Sequence, residues 1–173
     1  MGTKRTQKVW LVMGISLIVL GLMVSLSFSV FESSVSFSEY GGVIIESKEE
    51  VNVQNSRIAR AGSDVTSAGT SPASPVVMAS TGLLPLASTG VLKGNWYYGV
   101  DIYSVAGKTP ANQVFKVELY RWSSSSNDYT FVTTLYIKST ASPTNTEGVR
   151  LYFDVGSSKP ASSEAFMVTV MRV

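Results

Sequence analysis

Between Asn95 and Val173 five segments alternate apolar with polar residues, and this repetition limits the architecture open to the chain more than any other feature. They read WYYGVDIYSV, VFKVELYRW, YTFVTTLYIK, VRLYFDV and AFMVTVMRV, all rich in β-branched and aromatic residues. Between them lie AGKTPANQ, SSSSND, STASPTNTEG and GSSKPASSE, each holding the Pro, Gly, Asn or Ser that turns require. In the fourth segment Val149, Leu151, Phe153 and Val155 alternate with Arg150, Tyr152 and Asp154; in the second, Phe115, Val117 and Leu119 alternate with Lys116, Glu118 and Tyr120. One face of each strand is thus expected to be buried and the other wet. Turn signals roughly every dozen residues predict an all-β domain over 93–173, a small antiparallel β-sandwich of Ig-like or Greek-key kind.

Five strands are few for this purpose, because two facing sheets usually need about seven. The missing strands are expected in 32–64, where Val35 and Phe37, then Val51 and Val53, alternate with polar neighbours and Gly41-Gly42 marks a break. Such strands pair either within their own chain or, as donated strands, in a neighbour's. Val35, Phe37, Tyr40, Val43, Ile45, Val51 and Val53 are the candidate assembly residues. From Val65 to Leu92 no residue is charged, and Ser, Thr, Ala, Gly and Pro dominate, which reads as an extended linker. Its apolar clusters Val76-Val77-Met78 and Leu83-Leu84-Pro85-Leu86 need cover. The final edge strand, ending at Val173, is expected to lack a masking tail and so to invite pairing.

Ahead of the β region, residues 9–31 read VWLVMGISLIVLGLMVSLSFSVF, uncharged throughout. As a helix at about 1.5 Å per residue this run covers roughly 34 Å, enough to cross a bilayer. Lys4, Arg5 and Lys8 precede it within a basic tip, 1–8, so the positive-inside rule places the N-terminus in the cytoplasm and the rest outside. The run is either a retained transmembrane helix or a signal helix cut near Ser27-Phe28-Ser29. Either way the β region is expected at the cell surface or beyond it.

Composition removes several functions. The net charge of +2 comes from the basic tip, and no Lys/Arg cluster follows it, so nucleic acid is not an expected partner. With no cysteine there is no disulfide framework, and with no histidine the Ser-His-Asp and Cys-His arrangements and the commonest zinc ligand are gone. Asp101, Glu118 and Asp154 fall on the wet side of their strands and read as solvated; with Asp128 and Glu164 they form no evident acid/base pair. The turn Ser123–Asp128 lacks the ligand spacing of the known calcium loops. No phosphate-binding Gly loop and no Asn-x-Ser/Thr sequon occur, and O-linked sugars on the Ser/Thr-rich stretch remain open. The chain is expected to be no enzyme and to use no cofactor or metal. Tyr97, Tyr103, Tyr120, Trp122, Tyr136 and Tyr152, on wet faces, are either ordinary cross-strand packing or a platform for carbohydrate or protein.

The basic tip Lys4-Arg5-Thr6-Gln7, the apolar run 9–31 and the β domain from 95 together resemble the layout of archaeal surface-filament subunits, of both the pilin type and the strand-donating thread type. The sequence differs from the pilin pattern at Thr6, where Gly or Ala is usual, and at Lys8. The resemblance implies a structural subunit of an extracellular filament or similar assembly, whose partners are copies of itself, joined by helix packing or by donated strands. A second expectation, from another class, is a membrane-anchored β-sandwich on a cell or virion that binds a protein or carbohydrate.

Overall fold

The computed structural model describes residues 34–38, 41–45, 50–80, 82–161 and 164–173. The helix expected over 9–31, and Tyr40, lie outside the described residues. Among the described residues there is no helix, and hence none long and apolar enough to cross a membrane.

The domain is all-β. The five alternating segments form β6 (Trp96–Ser104), β7 (Val114–Ser123), β8 (Asp128–Lys138), β9 (Gly148–Gly156) and β10 (Phe166–Arg172). Upstream lie β1 (Ser34–Ser38), β2 (Gly41–Ile45) and β3 (Val51–Arg60). The uncharged stretch supplies two short strands, β4 (Val76–Val77) and β5 (Leu86–Ser88). They build two four-stranded sheets, ordered β3-β6-β9-β5 and β10-β7-β8-β4, while β1 and β2 pair as a separate hairpin. Gly41 and Gly42, expected to break the chain, instead lie in β2 opposite Ser38 and Phe37.

Alternation sets which face is inward. Tyr98, Val100, Ile102, Val149, Leu151 and Phe153 of one sheet meet Phe115, Val117, Leu119, Leu135, Ile137, Val168 and Val170 of the other in one buried core. At about 25 cal/mol per Å² of apolar surface removed from water, this shared core is the main force holding the sheets together. Val51 and Val53 complete it from β3, paired with Ser104 and Ile102 of their own chain. Asn127, with φ of 52°, takes the left-handed conformation that lets the Ser-rich turn close the β7–β8 hairpin.

The sheets are mixed rather than wholly antiparallel, which corrects the expected pairing. β4 runs parallel to β8 and β5 parallel to β9. Strands of two and three residues are too short to show any periodicity, and Pro75 and Pro85 precede them, so the sequence marks them only as apolar clusters in need of cover. The stretch 65–92 does more than connect. It bridges to itself at Val65–Val91 and Ala68–Ser88 and to β9 at Ala79–Gly148, and buries Met78, Ala87 and Val91. It thereby covers the β8 edge of one sheet and the β9 edge of the other. On the opposite side the outer strands are β3 and β10, tied at one end by a two-pronged ion pair from Arg172 to Glu50.

Candidate functional site

Two features outside the core concentrate chemistry: the solvent-side face of the β3-β6-β9-β5 sheet, and the outward edge of β10.

On the sheet face, alternation brings Tyr97, Gly99, Asp101 and Tyr103 of β6 beside Arg150, Tyr152 and Asp154 of β9. Asp101 was expected to be solvated, yet it is 0 % exposed. Arg150 donates to both of its carboxylate oxygens, Nε to Oδ1 at 2.8 Å and Nη2 to Oδ2 at 3.0 Å. Asn55 Nδ2 donates to Oδ2 at 3.0 Å, and Arg57 Nη1 stands 3.8 Å from Oδ1. Asn55 reaches across to Asp101 from a bulge of β3, between Gln54 and Arg57, with φ of 55°. Burial pushes the Asp101 carboxyl up, but the hydrogen bonds from Arg150 and Asn55 and the charges of Arg150 and Arg57 outweigh it and hold the carboxyl below its ordinary value.

Arg57 ties this cluster to the aromatics. Its guanidinium lies 5.4 Å from the centroid of the Tyr152 ring and donates to the Tyr152 hydroxyl at 3.4 Å. The side chain crosses Gly99, where an added Cβ would meet Arg57 Nε at 3.2 Å. Tyr97 and Tyr152 stack with centroids 4.2 Å apart and planes tilted by 32°. Burial raises Tyr97, and Tyr152 adds to that; Tyr152 is also pushed up by burial, but hydrogen bonds from Arg57 and Tyr97 bring it below its ordinary value. Tyr103 is spent differently: its ring covers Gly148, where a Cβ would lie 2.7 Å from Cδ1. The face is therefore an interlocked patch of two stacked tyrosines, two guanidinium groups and one saturated carboxylate. Its guanidinium groups are turned onto Asp101, the Asn55 carbonyl and the Tyr152 hydroxyl.

The other aromatics lie on the other sheet. Tyr120 and Phe131 meet edge to face at 5.8 Å, and Trp122 and Tyr129 at 5.2 Å, as cross-strand partners in the β7–β8 hairpin. Phe131 is 56 % exposed. Tyr136 stands opposite Lys116, which pairs with Glu118 at 3.0 Å, and Glu118 accepts the Tyr120 hydroxyl at 2.9 Å. The six aromatics named from the sequence thus divide into two faces and form no single platform. In the Ser123–Asp128 turn, the Asp128 carboxylate accepts the N–H of Tyr129 at 2.7 Å. Among the described residues no cluster of three or more carboxylates is placed to hold a metal.

Sequence reasoning passed over Glu147, which is 2 % exposed. Its Oε1 accepts the N–H of Thr140 at 2.8 Å and its Oε2 accepts the Thr140 hydroxyl at 2.7 Å. It pins the β8–β9 loop, and both oxygens are engaged. The Thr-rich loop around it carried no signal that a carboxylate would turn inward.

The β10 edge is defined by its hydrogen bonds. Val173 donates its N–H to Val114 and Ala165 accepts from Trp122, so the odd residues of β10 face β7. The main-chain groups of Phe166, Val168, Val170 and Arg172 therefore point to the outward edge. Among the described residues no strand is hydrogen-bonded there, although β2 lies beside β10. From Phe166 to Met171 this strand has no charge. β3, the other outer strand, is protected by its bulge and by Arg57 and Arg60. Of the assembly candidates, Val35, Phe37, Val43 and Ile45 fall in the β1–β2 hairpin, whereas Val51 and Val53 belong to the core. Neither the known protein families, nor the curated proteins, nor the solved structures yield a match to this chain.

Proposed function

We propose that the protein is a structural subunit of an extracellular filament or similar surface assembly, and that copies join where the β1–β2 hairpin of one meets the β10 edge of the next. In this reading residues 9–31 carry the chain to the membrane, where the helix is either kept as an anchor or packing element or removed on export. The partners are copies of itself, and the work is mechanical rather than catalytic.

The observation that supports it most is the inequality of the sheet edges. The chain devotes β4 and β5 to covering β8 and β9, and blunts β3 with a bulge and arginines. β10, uncharged from Phe166 to Met171, has no strand laddered to its outward edge among the described residues. A hairpin not laddered to either sheet lies beside it, directly after the apolar run. Strand addition gives such an edge its missing hydrogen bonds, worth roughly 0.5–1.5 kcal/mol each. The test is to compare the full chain with one lacking residues 34–45 by electron microscopy and sedimentation. Loss of the assembly with the domain still folded is expected; assemblies of unchanged form without the hairpin would overturn the reading.

A second reading is favoured by one observation, the Tyr97–Tyr152 stack beneath Arg57. A surface module that binds carbohydrate or protein would use such a patch, with the rings taking an apolar face and the guanidinium groups taking oxygen acceptors. Tyr152→Ala then abolishes ligand binding and leaves assembly intact.

A further inference from the structure

The segment T70-S-P-A-S-P75 has a geometry that the sheets do not need. Immediately before it, Gly69, with φ of 76°, accepts the N–H of Tyr136 on β8 at 2.6 Å. Immediately after it, Val76 pairs with Ile137, the next residue of the same strand. The chain leaves β8 and returns one residue further on, so the intervening residues form a short loop with clamped ends. The left-handed Gly69 holds the exit, since a Cβ there would lie 2.7 Å from the Tyr136 carbonyl oxygen. Pro72 and Pro75 lack N–H groups and keep the segment out of either sheet. Within it Ser71 accepts the N–H of Ala73 through Oγ at 3.3 Å and the N–H of Ser74 through its carbonyl at 3.1 Å, a local turn. Thr70, Ser71 and Ser74 are exposed, and the hydroxyls of Thr70 and Ser74 make no hydrogen bond to another described residue.

The surroundings indicate what the hydroxyls are for. No charge occurs from Val65 to Leu92, yet this stretch exposes Val77 at 51 % and Leu83 at 89 %. Apolar side chains set in an uncharged surface are poorly solvated and call for cover. Rigidly presented hydroxyls next to prolines suit a covalently attached hydrophilic cover.

We propose that this loop is an O-glycosylation site, with Thr70, Ser71 and Ser74 as the acceptors. In the reaction the side-chain oxygen attacks the anomeric carbon of a sugar activated on a nucleotide or lipid phosphate. The new C–O bond forms as the bond from the anomeric carbon to the phosphate oxygen breaks; the phosphate leaves with the electron pair, and the hydroxyl proton passes to a base of the transferase. The inference rests on the extracellular reading, because the donor and transferase serve exported chains.

The test uses protein isolated from its native source. Trypsin releases residues 61–93 as one peptide, since no Lys or Arg lies between Arg60 and Lys93. Mass spectrometry is expected to find it heavier by whole sugar residues, with alkaline β-elimination marking Thr70, Ser71 or Ser74 as dehydrated. A variant with all three replaced by Ala, expressed in the same host, is expected to give this peptide without sugar at these positions. Surface biotinylation, run in parallel, reports location. An unmodified peptide from surface-labelled protein overturns the glycan inference alone; an unmodified peptide from protein that resists labelling overturns it together with the extracellular reading. A phosphate mass in place of sugar also overturns it.

Discussion

The two lateral sides of this domain are built on opposite principles. On one side the chain spends the stretch 65–92 on β4 and β5, short parallel strips that satisfy the edges of β8 and β9 and bury Met78 and Ala87 beneath them. On the other, β3 and β10 are outermost; β3 carries a bulge with Arg57 and Arg60, whereas β10 is uncharged as far as Met171. Among the described residues β10 has no further strand laddered to its outward edge and no bulge, although β2 lies beside it. On the proposed function the covered side serves stability and the β10 side association.

Substitutions on the covered side are expected to cost stability and to spare assembly. The largest effect is Met78→Ala: the side chain is 1 % exposed and its sulfur stands 3.2 Å from the Ser104 hydroxyl, so the cavity should cost about 2–5 kcal/mol in denaturant unfolding. Next comes Arg150→Ala, which leaves buried Asp101 with Asn55 and the more distant Arg57 alone. Breaking a buried pair costs about 3–5 kcal/mol, but the Arg150 side chain is 40 % exposed, so about 2 kcal/mol is expected by the same unfolding measurement.

The same carboxylate fixes an acid limb. The folded state holds Asp101 below its ordinary value, so the native protein binds fewer protons there than the unfolded chain does. Its contribution is complete above the ordinary aspartate range and is lost as pH falls through that range and below it. A pH series of melting temperatures should show this limb in the parent and a shallower one in Asp101→Asn. Tyr98 acts at the other extreme. Burial raises its pKa, opposed by Ser56, so its contribution is complete below the ordinary tyrosine range and is lost as pH rises beyond it; Tyr98→Phe should flatten the alkaline limb.

The smallest effect on stability, and the largest on association, is expected from removing residues 34–45. Among the described residues the hairpin forms no ladder with either sheet, so on the proposed function its loss should shift unfolding by no more than about 1 kcal/mol while abolishing self-association in sedimentation.

How far each side was legible follows from the length of its elements. The alternation of Val149, Leu151 and Phe153 against Arg150, Tyr152 and Asp154 is long enough to fix both the strand and its inward face, and the same holds for Phe115, Val117 and Leu119. Val76-Val77 and Leu86–Ser88 are too short to carry a period, so the strips were visible only as apolar clusters in need of cover. The charge cluster was illegible for a different reason. Alternation places Asp101 outward, but its burial depends on Arg150 and Asn55, which come from strands 49 and 46 residues away in sequence. The bulge that brings Asn55 to Asp101 has no glycine to announce it. The last strand was legible as a sheet edge from its alternation, whereas the cover on β8 and β9 and the bulge in β3 were not.

The most direct test of the association edge exploits the absence of cysteine in the chain. One variant carries a cysteine moved through positions Gly41 to Ile45 of β2, another carries a cysteine at Thr169 in the middle of β10, and the two are mixed, assembled and oxidised. A disulfide-linked dimer of the two variants is expected at one or two positions of the scan, formed under assembly conditions and absent from dilute protein. If instead the mixed variants never link at any position, while chains carrying both cysteines close the bond within one chain, the hairpin belongs to its own domain and β10 is not the joint between subunits.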